Sequence, residues 1–186
     1  MTAVIDRTVT TGRLRTAWAA AHAPVAGVPR WARTAALAVP FVVLPASLWR
    51  LPAAFADGSG LGERAYIVFL SIASEVAAFA AIGLIARWGE VFPRWVPFLR
   101  GRPIPTKAAA IPAALGALVL TVLWTACWIA EFAGVTLQGE PTPANFPTQA
   151  GGWEAATYYL CYLPLLLWGP LLAAVTFAYV RRRRNS

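Results

Sequence analysis

Four long apolar runs, almost free of charge, limit what this chain can fold into more than any other feature. They are Thr34 to Ala56, Ala65 to Ala86, Ala108 to Ala133 and Ala155 to Tyr179. A helix rises about 1.5 Å per residue and the hydrocarbon core of a bilayer is about 30 Å thick, so each run suffices for one crossing. Lipid offers the backbone no hydrogen-bond partner, and a helix satisfies its own groups. The expected fold is therefore all-α: a bundle of four transmembrane helices, up-down-up-down, over residues 34–180. A basic tail at 1–33 precedes it and a short basic tail at 181–186 follows. Composition agrees, because 13% of the residues are charged and 59% are hydrophobic, against about 25% charged in a soluble domain.

The basic residues give a direction to the spans. Five lie in the N-terminal tail (7, 13, 15, 30 and 33), five in the loop from Arg87 to Lys107 and four at the C-terminus. Only Arg50 and Arg64 of the 16 Lys and Arg fall on the other side of a four-span chain. The positive-inside rule then puts both termini in the cytoplasm of a bacterial cell membrane. The central loop, RWGEVFPRWVPFLRGRPIPTK, mixes Arg87, Arg94, Arg100 and Arg102 with Trp88, Phe92, Trp95 and Phe98. Rings at headgroup depth and cations facing anionic lipid suit a membrane–water interface. Arg181, Arg182, Arg183 and Arg184 are headgroup contacts on the same argument, or a plain stop-transfer anchor. The net charge of +8 flanks apolar spans instead of studding one soluble face, so nucleic acid is not an expected partner.

Two stretches resemble a known set of proteins. RWGEVFPRWVPFLRGRPIP, from Arg87 to Pro105, and CYLPLLLWGPLLAAVTFAYVRRRR, from Cys161 to Arg184, are similar to small four-span integral membrane proteins of actinobacteria. The similarity runs from the second span to the C-terminus. It implies the four-span topology and an actinobacterial origin, and it implies no activity or catalytic residue.

Chemistry has few places to sit. Glu75 lies in the middle of the second span, where a carboxylate costs a few kcal/mol on insertion scales and so faces the protein interior. It reads as a general acid, a proton carrier or the counter-charge for a cationic lipophile, or as a protonated side chain joining two helices, with a hydroxyl of Tyr158 or Tyr162 as the expected partner. Glu131 follows Trp124 and Trp128 on one helical face. Two indoles beside a carboxylate suit an amphiphilic cation, and they equally suit an aromatic belt. Trp124, Trp128, Tyr158 and Tyr162 are the candidate ligand-binding rings. Cys127 and Cys161 lie at similar depth and can pair or pack as free thiols. Ala54-Phe55-Ala56 resembles a signal-peptidase site, but Trp49 and Arg50 interrupt the run before it, so a retained first span is expected.

Two Cys and one His supply too little for a metal site, and no P-loop, G-x-S-x-G, H-E-x-x-H or dinucleotide fingerprint is present, so no cofactor is expected. Three functional classes stay open. The first is a protein that binds a lipid, a hydrophobic small molecule or a membrane partner. The second is an intramembrane isomerase or cyclase for an isoprenoid-like substrate, with Glu75 as acid and Glu131 steadying a carbocation. The third is a subunit of a proton-coupled exporter.

Overall fold

The computed structural model describes residues 25–56, 58, 60–91 and 101–185. Four of its helical segments are long and apolar enough to cross a membrane. They are α1 (Arg30–Ala54), α2 (Leu61–Gly83), α3 (Thr106–Phe132) and a composite fourth segment. The last consists of α4 (Gly152–Tyr162), a 3-10 stretch (Leu163–Leu167) and α5 (Trp168–Arg184). Among the described residues there is no strand. Two isolated bridges, Val91 with Pro103 and Val135 with Pro141, tie off the loops around them.

Local chemistry accounts for most boundaries. α3 starts directly after Pro105, which has no N–H to place in a preceding turn. α2 begins four residues ahead of the expected Ala65, at Leu61. Glu63 then lies in its first turn, where the helix dipole favours a negative charge. The same helix stops at Gly83, three residues short of Ala86, because the chain folds back there. A Cβ on Gly83 would lie 2.7 Å from the Trp88 ring, which stacks on Phe79 at 6.3 Å. The prolines of α1, Pro40, Pro45 and Pro52, are carried inside one continuous helix. In the fourth segment Pro164 and Pro170 remove two donors six residues apart, and between them the α-helix gives way to the 3-10 stretch. The four arginines do not end the helix. They form its last turn, where arginine propagates well and its charge suits the C-terminal end of the dipole.

Packing sets the order α2, α1, α5, α3 across the molecule. α1 lies against both α2 and α5, α5 lies against both α1 and α3, and α2 touches α5 only slightly. Of the apolar stretch of α1, 33% is buried, against 11% of that of α3, so α1 is central and α3 flanking. The core is built from Ala36, Val39, Val43 and Ala46 of α1, Ala78 and Ala81 of α2, Ala117 of α3, and Leu172, Val175 and Tyr179 of α5. Alanines make up much of this core, which lets the helix backbones approach closely. α3 and α5 approach closely at Gly169. A Cβ there would lie 2.6 Å from the Thr121 backbone nitrogen and 2.7 Å from the Ala117 carbonyl oxygen. Two threonine hydroxyls at this packing are satisfied within their own helices: Thr121 donates to Ala117 O and Thr176 to Leu172 O, both at 2.7 Å.

The start of α1, the end of α2, the start of α3 and the end of α5 meet at one end of the molecule. Val25 N–H donates to Ile85 O at 3.3 Å, and Gly27 lies beside Arg182. Arg182 forms an ion pair with Glu90, just past α2, and its guanidinium lies 5.7 Å from the centre of the Tyr179 ring. Arg183 donates to Thr106 Oγ1 at 3.2 Å and to Ile104 O at 2.8 Å. Ile104 N–H in turn donates to Glu90 O at 2.7 Å. The last turn of α5 thus holds the base of the loop between α2 and α3. Arg94, Arg100, Phe92, Trp95 and Phe98, named above as headgroup contacts and interface rings, lie outside the described residues, as does the tail carrying Arg7, Arg13 and Arg15.

Candidate functional site

The opposite end of the molecule gathers aromatic rings. Trp124, Trp128 and Phe132 occur at spacings of four along α3 and share one face. Tyr158, Tyr159 and Tyr162 occupy the matching side of α4. Trp128 lies 5.6 Å from Tyr159 and 6.3 Å from Tyr158, centre to centre. Trp124 meets Tyr162 edge-on at 6.4 Å. Tyr158 and Tyr162, one turn apart, stack at 4.6 Å, and Phe146 closes over Tyr158 at 5.3 Å. All four rings expected to bind a ligand therefore belong to one cluster. Trp128 is its floor, 5% exposed. Trp124 Nε1 is buried and has no hydrogen-bond partner among the described residues, so the cluster holds a donor without an acceptor.

Two opposite charges border this cluster. Glu131 of α3 is half-buried, lies one turn beyond Trp128 and is near Tyr158. Arg50, in the last two turns of α1, is half-buried, donates from Nε to Ala46 O at 3.2 Å, and is near Tyr162. The sequence pointed to Glu131 through its spacing from the two tryptophans. It did not point to Arg50, which reads as a residue at the outer edge of the first span. Only the packing of α4 on α1 reveals it as a neighbour of the tyrosines. Cys127 and Cys161 are both free thiols beside the same cluster.

Glu75 is elsewhere. It sits on α2, which packs on α1, whereas Glu131 belongs to α3, on the far flank. Glu75 Oε1 is buried and has no hydrogen-bond partner among the described residues, and the same holds for Ser71 Oγ one turn before it. The expected hydroxyl from Tyr158 or Tyr162 is not supplied, because those tyrosines face α3 and α1 instead. Ser74 bonds its own helix, donating to Leu70 O at 2.6 Å. Two surface clefts lie at the other end of the molecule. Val28, Ile85, Tyr179 and Arg182 are among the residues lining one, and Phe177, Arg181 and Arg184 among those lining the other. Among the described residues no three His, Cys, Asp or Glu side chains group as metal ligands would.

No family model, curated protein or solved structure matches this chain.

Proposed function

We propose that this chain is a multi-pass protein of a bacterial cytoplasmic membrane that binds an amphiphile at the aromatic end of its helices, without chemistry. Its four spans run up-down-up-down with both termini inside, in keeping with the actinobacterial proteins it resembles. The observation that carries the reading is the stacked Tyr158–Tyr162 pair, packed against Trp124 and Trp128, with Glu131 near Tyr158 and Arg50 near Tyr162. Rings offer an apolar, polarisable surface, and the two charges select a headgroup by sign. The unpartnered Trp124 Nε1 adds a donor for a ligand oxygen. A lipid, a hydrophobic small molecule or the juxtamembrane segment of another membrane protein has the required chemistry.

The test is extraction of whatever co-purifies with the full chain from native membranes, compared with W124L/Y162L. A compound or protein enriched with the wild type and lost from the variant, at unchanged helicity, supports the proposal. Identical extracts refute it.

The isomerase and exporter readings place the working residue at Glu75. The buried, unpartnered Oε1 favours them as a second reading, since a polar group inside an apolar span is costly and so marks a place where function can reside. Glu75→Gln separates the two classes: a binding protein keeps its ligand, and an enzyme or exporter loses turnover while staying folded.

A further inference from the structure

The C-terminal run of four arginines is divided by the fold into two pairs with different surroundings. Arg182 and Arg183 point into the protein, the first to Glu90 and the second to Thr106 and Ile104. Arg181 and Arg184 lie on the other side of α5, three residues apart and both exposed. They line one cleft together with Phe177, Val180 and Asn185. Helical spacing puts Phe177 one turn before Arg181, and Val180 one turn before Arg184. Each guanidinium therefore sits above an apolar side chain that points toward the span, and Phe177 is 62% exposed.

We propose that this cleft is a binding site for one anionic phospholipid, with its phosphate between Arg181 and Arg184 and its first acyl carbons on Phe177 and Val180. The proposal rests on the reading that α5 crosses the bilayer. An apolar floor under a cationic rim matches the junction between acyl chain and phosphate in such a lipid. Planar guanidinium groups bind phosphate through paired N–H donors, and the Asn185 amide can add another. The helix end opposes an anion with the equivalent of about half a negative charge, which two guanidinium groups exceed. A net-neutral headgroup brings its own ammonium into this cationic rim and gains less. A free phosphate has nothing to place on Phe177.

The experiment uses the full chain, purified in mild detergent and stripped of lipid. Native mass spectrometry then follows the retention of added phosphatidylglycerol or phosphatidylcholine. Wild type is expected to retain one phosphatidylglycerol, with preference over phosphatidylcholine of about tenfold or more. R181Q/R184Q is expected to lose that preference. R33Q/K107Q removes the same charge from exposed positions at the same end and is expected to keep it. If the double variant does not fold, as judged by circular dichroism and elution volume, R181K/R184K keeps the charge without the paired donors and is expected to weaken retention.

Equal retention of the two lipids, equal loss in R33Q/K107Q, or displacement by inorganic phosphate would each overturn the proposal; the last result would indicate a free-anion site. Carbonate washing of membranes keeps the two levels apart. A protein released by the wash refutes the membrane reading itself. A protein that stays integral but shows no lipid preference refutes only this site.

Discussion

Replacing Gly169 with alanine tests how the contact between α3 and α5 is made. The added Cβ would lie 2.6 Å from the Thr121 nitrogen and 2.7 Å from the Ala117 oxygen, with Thr121 Oγ1 also in the way. Ordinary contacts between non-bonded heavy atoms fall near 3.5–4.0 Å, so α5 and α3 must separate locally by about 0.8 Å or more. The obstacle is backbone, which cannot rotate away as a side-chain tip can. Overpacking of this kind costs about 1–3 kcal/mol, and the upper end applies because Ala117 is itself core. For a chain of this length that corresponds to a fall in melting temperature of about 5–10 °C. Gly116 is the control on the facing helix. A Cβ there meets Leu172 Cδ2 at 3.8 Å, an ordinary contact, so Gly116→Ala is expected to be neutral or slightly stabilising. Thermal unfolding of the detergent-solubilised protein, followed by circular dichroism, measures both. If Gly169→Ala melts with Gly116→Ala and the wild type, the close approach of α3 and α5 is wrong.

Other outcomes follow from single contacts. Glu90→Gln leaves Arg182 without its charge partner in a site where their side chains are 15% and 9% exposed, and is expected to cost about 3 kcal/mol. Faster proteolysis between α2 and α3 than in wild type is the readout, and unchanged cleavage would count against the clamp. Glu75→Leu replaces a carboxyl that has an unpartnered buried oxygen with an apolar side chain, and is expected to raise the melting temperature. A fall would mean that Glu75 has a stabilising partner. Thiol titration of the unfolded protein, purified without reductant, is expected to find both Cys127 and Cys161 reactive. A value near zero would show a disulfide.

Helix existence was readable from the chain itself because its cause is local. An apolar run that cannot leave its backbone unpaired in lipid becomes a helix whatever its neighbours do, and the four runs did so. Their ends were less accessible. The Gly83–Trp88 fold-back depends on how the chain turns after α2, and the continuation of α5 through Arg184 runs past the last apolar residue, where hydropathy no longer marks the helix. The candidate site divides in the same way. Trp124, Trp128 and Glu131 announce a shared face by spacing alone, and Tyr158 and Tyr162 do so on their own helix. That the two faces meet is a tertiary fact.

Sequence alone settled what is decided residue by residue in a one-dimensional medium: how many segments are apolar, how long they are, and where the charges accumulate. The tertiary structure decided which helix lies beside which. Helices coated uniformly with apolar side chains look alike to lipid, and their order is chosen by small steric features such as Gly169 against Ala117, which no periodicity encodes. That choice set Arg50 near the tyrosines, kept Glu75 apart from Glu131, and turned two arginines of the terminal run inward while leaving two outside.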